Sequence, residues 1–250
     1  MRIVVVGGTG LIGDKVMTAL HDAGHHAVAA STAFGINART GEGLDQAMAG
    51  ADVVVDVTNA PLSDDEHVMR FFTTVTRNLL KAGRRAGVRH HVALSVLGCE
   101  RLPESGYMRA KVAQEQLIRE AWVPFTIVHS TQFMEYLTHI ANEGTRGDVA
   151  HVPDAQIQPV AAIEVSRFVA AVATAPPVDD VIEIAGPETF TFESAVTEVL
   201  SAADDGRHVV ADPRAQYFGT VLRNDDLLPG PAAHLADARL ADWLPQHAAA

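Results

Sequence analysis

The amino-acid sequence predicts a doubly wound α/β fold with a parallel sheet and a small C-terminal lobe. Three observations carry this. Short β-branched runs alternate with longer amphipathic segments from the first residue onward, the mark of βαβ units. A glycine-rich turn follows the first run and leads straight into a helical pattern. Past Gly144 the alternation becomes irregular and prolines accumulate, at Pro153, Pro159, Pro176, Pro177 and Pro187. Residues 144–250 are therefore expected to form most of a lobe docked on a single domain spanning 1–250, with no linker separating two cores.

In chain order, the strands read as Ile3–Val6, Ala27–Ala30, Val53–Val57, His91–Ser95 and Phe125–His129. Helices are expected over Leu11–Ala23, Asp64–Ala86 and Tyr107–Ala121. The second of these opens on Ser63 and Glu66, the spacing of a capping box, and Gly87 follows its end. Weaker signals predict a strand near Val181–Ala185, a helix over Phe192–Ala202 and another around Leu235–Trp243.

A chain of 250 residues can bury a full core, and 48% apolar with 20% charged residues is ordinary globular composition. The net charge of −12 argues against nucleic acid or an anionic membrane as partner, since both would repel it. No apolar run reaches the length of a membrane span, and the N-terminal MRIVVVGGTG reads as a strand and not a signal peptide. One cysteine, Cys99, excludes an internal disulfide framework and fits a reducing cytoplasm. Twelve histidines include the pairs His25-His26 and His90-His91, but these flank strands with no ligands at zinc spacing, so no metal is expected.

The turn GGTGLIG contains Gly7, Gly8, Thr9, Gly10, Leu11, Ile12 and Gly13, and matches both G-x-G-x-x-G and G-x-x-G-x-x-G. Glycines there let the backbone turn sharply and approach a pyrophosphate, which then faces a helix N-terminus. A dinucleotide on a Rossmann-type sheet is the reading this placement supports. An NAD site usually carries Asp or Glu at the end of the second strand for the ribose 2′-hydroxyl. Here Ala30, Ser31 and Thr32 occupy that place, with Arg39 further into the loop, so NADP (as NADPH) is favoured over NAD. The third strand ends in Thr58, Asn59, Ala60 and Pro61, where adenine and ribose would lie.

Tyr107 and Lys111, in SGYMRAK, stand four apart on one helix face. The chain writes sixteen of its cations as Arg and only three as Lys, so a lysine here points to a compact ammonium on a flexible stem. Such a group would bind the nicotinamide ribose and lower the tyrosine's pKa, leaving Tyr107 as general acid to the oxygen formed on hydride transfer. Ser95 ends the preceding strand and would donate a hydrogen bond to that oxygen.

GGTGLIG, GVRHHVALSVLG, SGYMRAKVAQEQLI, VPFTIVHSTQFMEYL, QPVAAIEVSRFVA and IEIAGPETFTF together resemble the atypical short-chain dehydrogenase/reductase group that contains the NmrA-like proteins. The resemblance covers nearly the whole chain. It implies an NAD(P)-binding Rossmann fold with Ser95, Tyr107 and Lys111 in the reductase pattern, and a cleft lined by Ser130, Thr131, Gln132, Phe133 and Pro159. His129 departs from the arginine that related chains often carry, and faces substrate or cofactor on this reading. Phe133, Met134 and Tyr136 offer apolar surface suited to a flat carbonyl compound or quinone, although Met134 reads better as core. Tyr217 and Phe218 are candidates for a lid.

Two function classes follow. The first is a cytoplasmic NADPH-dependent reductase, monomeric or homodimeric, acting on a small carbonyl or quinone substrate. The second is a non-catalytic NAD(P)-binding redox sensor of the NmrA type. Sugar-nucleotide epimerisation would require a larger C-terminal substrate region.

Overall fold

The structure, a computed structural model, describes residues 1–60 and 64–247. The expectations placed on Pro61 and on the Ser63 cap lie outside the described residues.

Seven parallel strands make the main sheet: β1 (Arg2–Val6), β2 (His26–Ala30), β3 (Val53–Asp56), β4 (His90–Val96), β5 (Phe125–Ser130), β6 (Asp180–Ala185) and β7 (His234–Leu235). Their order is β7-β6-β5-β4-β3-β1-β2. The chain passes from β1 outward to β2, then crosses back to place β3 on the other side of β1, with Ile3 opposite both Ala27 and Val53. That reversal leaves a crevice at the carboxyl ends of β1 and β3, where ligands of open α/β sheets bind. Ile3, Val4, Val5, Val54 and Val55 are completely buried, as continuous β-branched runs covered on both faces should be.

The helices of this part form for local reasons. In α1 (Leu11–Asp22), Ile12, Val16 and Leu20 recur every four residues and supply the buried face. Helix α2 (Leu44–Met48) is short and follows a left-handed Gly43. Helix α3 (Asp65–Ala86) is capped by Asp64, whose carboxylate accepts the His67 N–H at 3.0 Å. It stops at Gly87, left-handed at φ 73°, after which the Val88 N–H returns to the Gly83 carbonyl. Helix α4 (Gly106–Arg119) differs in kind: its buried side includes Lys111, Gln114 and Glu115. Gly106 starts it hard against α3, since a Cβ there would lie 1.9 Å from the Asp65 side chain.

The chain divides into two compact units. The first contains Met1–Ser95, Gly106–His129 and Val165–Ile182; the second contains Val96–Ser105, Ser130–Glu164 and Glu183–Ala250. In the second, strands Val149–Pro153 and His208–Asp212 pair in parallel, and Thr145–Arg146 joins them antiparallel. Helices α5 (Leu137–Gly144) and α7 (Phe192–Ala202) pack on this small sheet. Helix α6 (Ala162–Thr174) begins in the second unit and continues into the first. α8 (Leu240–His247) comes last, and no helix among the described residues is long and apolar enough to cross a membrane.

One expected element is corrected. The helix anticipated over Leu235–Trp243 starts only at Leu240, because His234 and Leu235 instead pair with Ile184 and Ala185 as strand β7. The Ala236 N–H extends that ladder to the Ala185 carbonyl at 2.8 Å.

Candidate active site

The glycine turn is fixed by backbone approach. Gly7 is left-handed at φ 84°, and a Cβ there would meet the Val57 carbonyl at 3.0 Å, so this turn abuts the end of β3. A Cβ on Gly13 would fall 2.1 Å from the Gly7 carbonyl oxygen. Helix α1 starts at a Gly10 cap that offers no side-chain acceptor. Thr9, Gly10 and Leu11 are exposed, and Ile12 and Gly13 are buried. A bare helix N-terminus behind a turn that admits no Cβ at Gly8 or Gly13 fits a pyrophosphate.

At the end of β2, Ser31 and Thr32 stand in a stretch, residues 23–41, that contains no Asp or Glu. The Ser31 hydroxyl oxygen is buried and has no hydrogen-bond partner among the described residues. Arg39 is exposed on a loop held by Asn78, whose amide donates to the Ala38 and Arg39 carbonyls at 2.9 and 3.0 Å. These features fit a dinucleotide at the β1–β3 switch point.

At the end of β3, the fully buried Asp56 accepts the Thr58 N–H at 3.0 Å and the Thr58 hydroxyl at 2.7 Å. Asn59 is exposed and accepts the Tyr107 hydroxyl at 2.9 Å. Ala60 is buried beside Phe72 and Ala110.

Helix α4 presents Tyr107, Lys111 and Gln114 along one stripe. Tyr107 is half-buried with its ring edge-on to Phe72 at 5.8 Å. Lys111 is 2% exposed; its ammonium sits 4.6 Å from the centre of the same ring and donates to the Leu94 carbonyl at 2.9 Å. It also donates to the Gln114 carbonyl oxygen, and Gln114 in turn donates to Asp56 at 3.0 Å.

The other expected members occupy a second cluster. The Ser95 hydroxyl donates to Glu115 at 2.5 Å, and His129 Nε2 lies 2.8 Å from that same carboxylate oxygen. Arg119 lies 3.4 Å from the other oxygen. All of Ser95, Glu115 and His129 are buried. Ser95 and His129, expected to address substrate, thus both engage Glu115.

Gln132, Phe133, Pro159 and Tyr217 belong to the second unit. Gln132 is buried, with both amide atoms unpartnered among the described residues. Phe133 bridges Val160, and the Val160 N–H donates to the Gln132 carbonyl at 2.9 Å. Pro159 is buried, its carbonyl so near Gly186 that a Cβ there would approach to 1.8 Å. Tyr217 is 6% exposed and packs on Phe192 and Phe218, with ring centres at 5.8 and 4.7 Å. Met134 is buried as core. Burial and the Glu143 charge push the Tyr136 phenol up to about 12.

Three residues of this region escape a reading from sequence: Asp56, Gln114 and Glu115. A helix with Gln-Glu in its middle reads as solvated. The available signal was position, since Tyr107, Lys111, Gln114 and Ile118 recur at i, i+4, i+7 and i+11 on the stripe that must face the sheet.

A glycine turn of this geometry at a topological switch point defines a dinucleotide-binding Rossmann protein. A family model described as NAD(P)H-binding matches residues 29–176, and the chain belongs to that family. Among curated proteins, it is 34% identical over 146 residues to the (4-alkanoyl-5-oxo-2,5-dihydrofuran-3-yl)methyl phosphate reductase of Streptomyces griseus, covering 53% of this chain and 48% of that protein. It is 27% identical over 151 residues to the photosystem II assembly factor Ycf39 of Synechocystis, covering 55% and 46%. The chain thus spans about half the length of the curated relatives it matches. A short-chain dehydrogenase/reductase superfamily protein from Agrobacterium tumefaciens, solved with bound NAD, shares the fold at a TM-score of 0.74 and 16% identity, over 99% of this chain and 96% of that one.

Proposed function

We propose that this chain is an NADPH-dependent reductase of the short-chain dehydrogenase/reductase type, acting on a small or aromatic carbonyl compound or a quinone. The observation that carries the reading is the Tyr107–Asn59 hydrogen bond, with Lys111 one turn further along the same helix face. It ties the candidate proton donor to the loop after β3, against which the glycine turn packs. When bound, the dihydronicotinamide supplies a hydride to the carbonyl carbon. The electron pair of the C=O bond moves to oxygen, and Tyr107 gives that oxygen its hydroxyl proton. Lys111 binds the nicotinamide ribose and, as a cation, makes the phenol a stronger acid. Ser95 holds the substrate oxygen once its hydroxyl is released from Glu115. Ser31, Thr32 and Arg39 receive the 2′-phosphate, which the lack of a carboxylate and the unpartnered Ser31 oxygen both support. Gln132, Phe133, His129, Pro159 and Tyr217 are assigned to the substrate side. The Streptomyces relative, a reductase by name, is consistent with this chemistry.

The test is NADPH oxidation across a panel of ketones, aldehydes and quinones, with NADH in parallel. Tyr107→Phe is expected to keep NADPH binding and lower turnover by about 10²-fold or more, less for a quinone, whose anion needs little proton assistance. Equal turnover in the variant removes Tyr107 from the chemistry. A non-catalytic redox sensor is the second reading. It is favoured by the engagement of Ser95 with Glu115 and by the relative named as an assembly factor. NADPH binding with no oxidation by any acceptor would select it.

A further inference from the structure

Buried cations are rare because burial disfavours the charged form, unless acceptors and counter-charges surround it. Lys111 is a severe case at 2% exposure, and among its contacts the ammonium donates to the neutral oxygens of Leu94 and Gln114. The second of these is the oxygen end of a side-chain amide. Gln114 accepts from the ammonium through Oε1 and donates through Nε2 to Asp56 Oδ2 at 3.0 Å. Flipping that amide would set its NH₂ against the ammonium and its oxygen against the carboxylate, so the two partners fix one orientation. The amide dipole then lies head to tail between an anion and a cation, each polarising it in the same sense. The Asp56 carboxylate is itself oriented: Thr58 supplies two donors to Oδ1, which leaves Oδ2 for Gln114.

We propose that Asp56 and Gln114 are positioning residues for Lys111, forming a buried relay that holds its ammonium in place and in its charged form. The relay deepens the reductase reading and rests on it for its catalytic purpose, since a neutral Lys111 would no longer sharpen Tyr107 as an acid. The groups around it belong to several elements. On β4, burial holds the His91 imidazole below its ordinary range against the pull of the Asp56 charge, so His91 adds no competing cation. On α4, Glu115 is engaged by Ser95 and by His129 of β5, and Tyr107 is bonded to Asn59. At the starts of α3 and α4, Asp65 and Arg109 pair with each other at 2.7 Å on the surface. Asp56 connects to the ammonium through Gln114.

The chain has only three lysines, Lys15, Lys81 and Lys111, so their side-chain NMR signals can be assigned by single Lys→Arg substitutions and followed against pH. Lys111 is expected to stay protonated through the neutral range. Gln114→Met keeps the side-chain length and removes the relay; it should lower the Lys111 midpoint by about one to two pH units. Gln114→Glu places a carboxylate directly on the ammonium and should hold the midpoint at or above the starting value. Should Gln114→Met fail to fold, Asp56→Asn carries the same downward expectation. An unchanged midpoint in a folded Gln114→Met or Asp56→Asn protein, or a lowered one in Gln114→Glu, overturns the relay. These readings need no turnover. A moving midpoint in a protein that reduces nothing would keep the relay and sink the reductase, and an unmoved midpoint in an active enzyme would do the reverse.

Discussion

In the first βα turn, position is set by backbone: Gly7 turns left-handed and Gly13 lets the helix start 2.1 Å, measured from a would-be Cβ, from a carbonyl oxygen. On the buried face of α4, position is set by side chains: Lys111 leans on Leu94 and Gln114, Gln114 on Asp56, and Glu115 on Ser95 and His129. The two regions tolerate different damage. The turn is held mainly through backbone, with the Ser166 hydroxyl donating to the Ile12 carbonyl at 3.3 Å, and has no room to gain an atom at Gly8 or Gly13. The helix face leaves a buried donor or acceptor stranded whenever one member goes.

The harshest way to break this contrast is Gly13→Val. Three added carbons must displace backbone at Gly7 and Gly8, where flexible side chains offer no relief. We expect a stability loss of about 3 kcal/mol or more, with NAD(P)H binding abolished. Urea unfolding and nicotinamide fluorescence measure the two effects. Wild-type affinity in the variant would mean that the turn yields, contrary to its geometry.

Glu115→Ala attacks the other region and should cost somewhat less, about 2 to 3 kcal/mol, because it strands the Ser95 hydroxyl and His129 together. Glu115→Gln keeps an acceptor oxygen and should recover about half of that loss. A double-mutant cycle with Ser95→Ala sharpens the assignment: the two losses should fall short of additive by about 1 kcal/mol or more. Additive losses would show that Ser95 and Glu115 do not depend on each other.

The contrast also explains what could be read from the sequence. Glycine spacing is a local constraint, so GGTGLIG, the strand before it and the helix after it were legible together, as were α3 and its Gly87 stop. Tyr107 and Lys111 were legible as a pair because four residues apart is a fixed helical distance. Their partners were not, because Asp56 lies 58 residues from Gln114 and Ser95 lies 20 from Glu115. Only the sheet order brings these together, and hydropathy ranks a buried Gln-Glu as surface. The packing of Tyr217 was hidden for a related reason: exposed aromatic and packed aromatic look alike until Phe192 and Phe218 are placed beside it. The short strand at His234 and Leu235 borrows its form from β6, so two residues of chain gave no periodicity to read.

Acid offers the mildest separation of the two regions, since the turn Gly7–Gly13 holds no titratable side chain and the strand beside the α4 face holds two imidazoles. Burial, with a smaller push from the neighbouring His91, lowers His90 from 6.5 to about 4. Its ring bonds Thr126 at 2.9 Å inside the protein. The folded state keeps this imidazole neutral while the unfolded chain protonates it near 6.5, so unfolding takes up a proton. The stabilising contribution is therefore full above pH 6.5 and is lost as pH falls toward 4. The expected loss from this group across that window is on the order of 2 kcal/mol. Asp52, held below the usual carboxylate range by the Arg2 amide and by Arg89, loses its contribution only below its ordinary 3.8, outside the window. His90→Asn should flatten the dependence between pH 6.5 and 4 in denaturant titrations, even if it lowers stability at neutral pH. A slope unchanged by the substitution would assign the acid sensitivity to another group, with His91 the first to test.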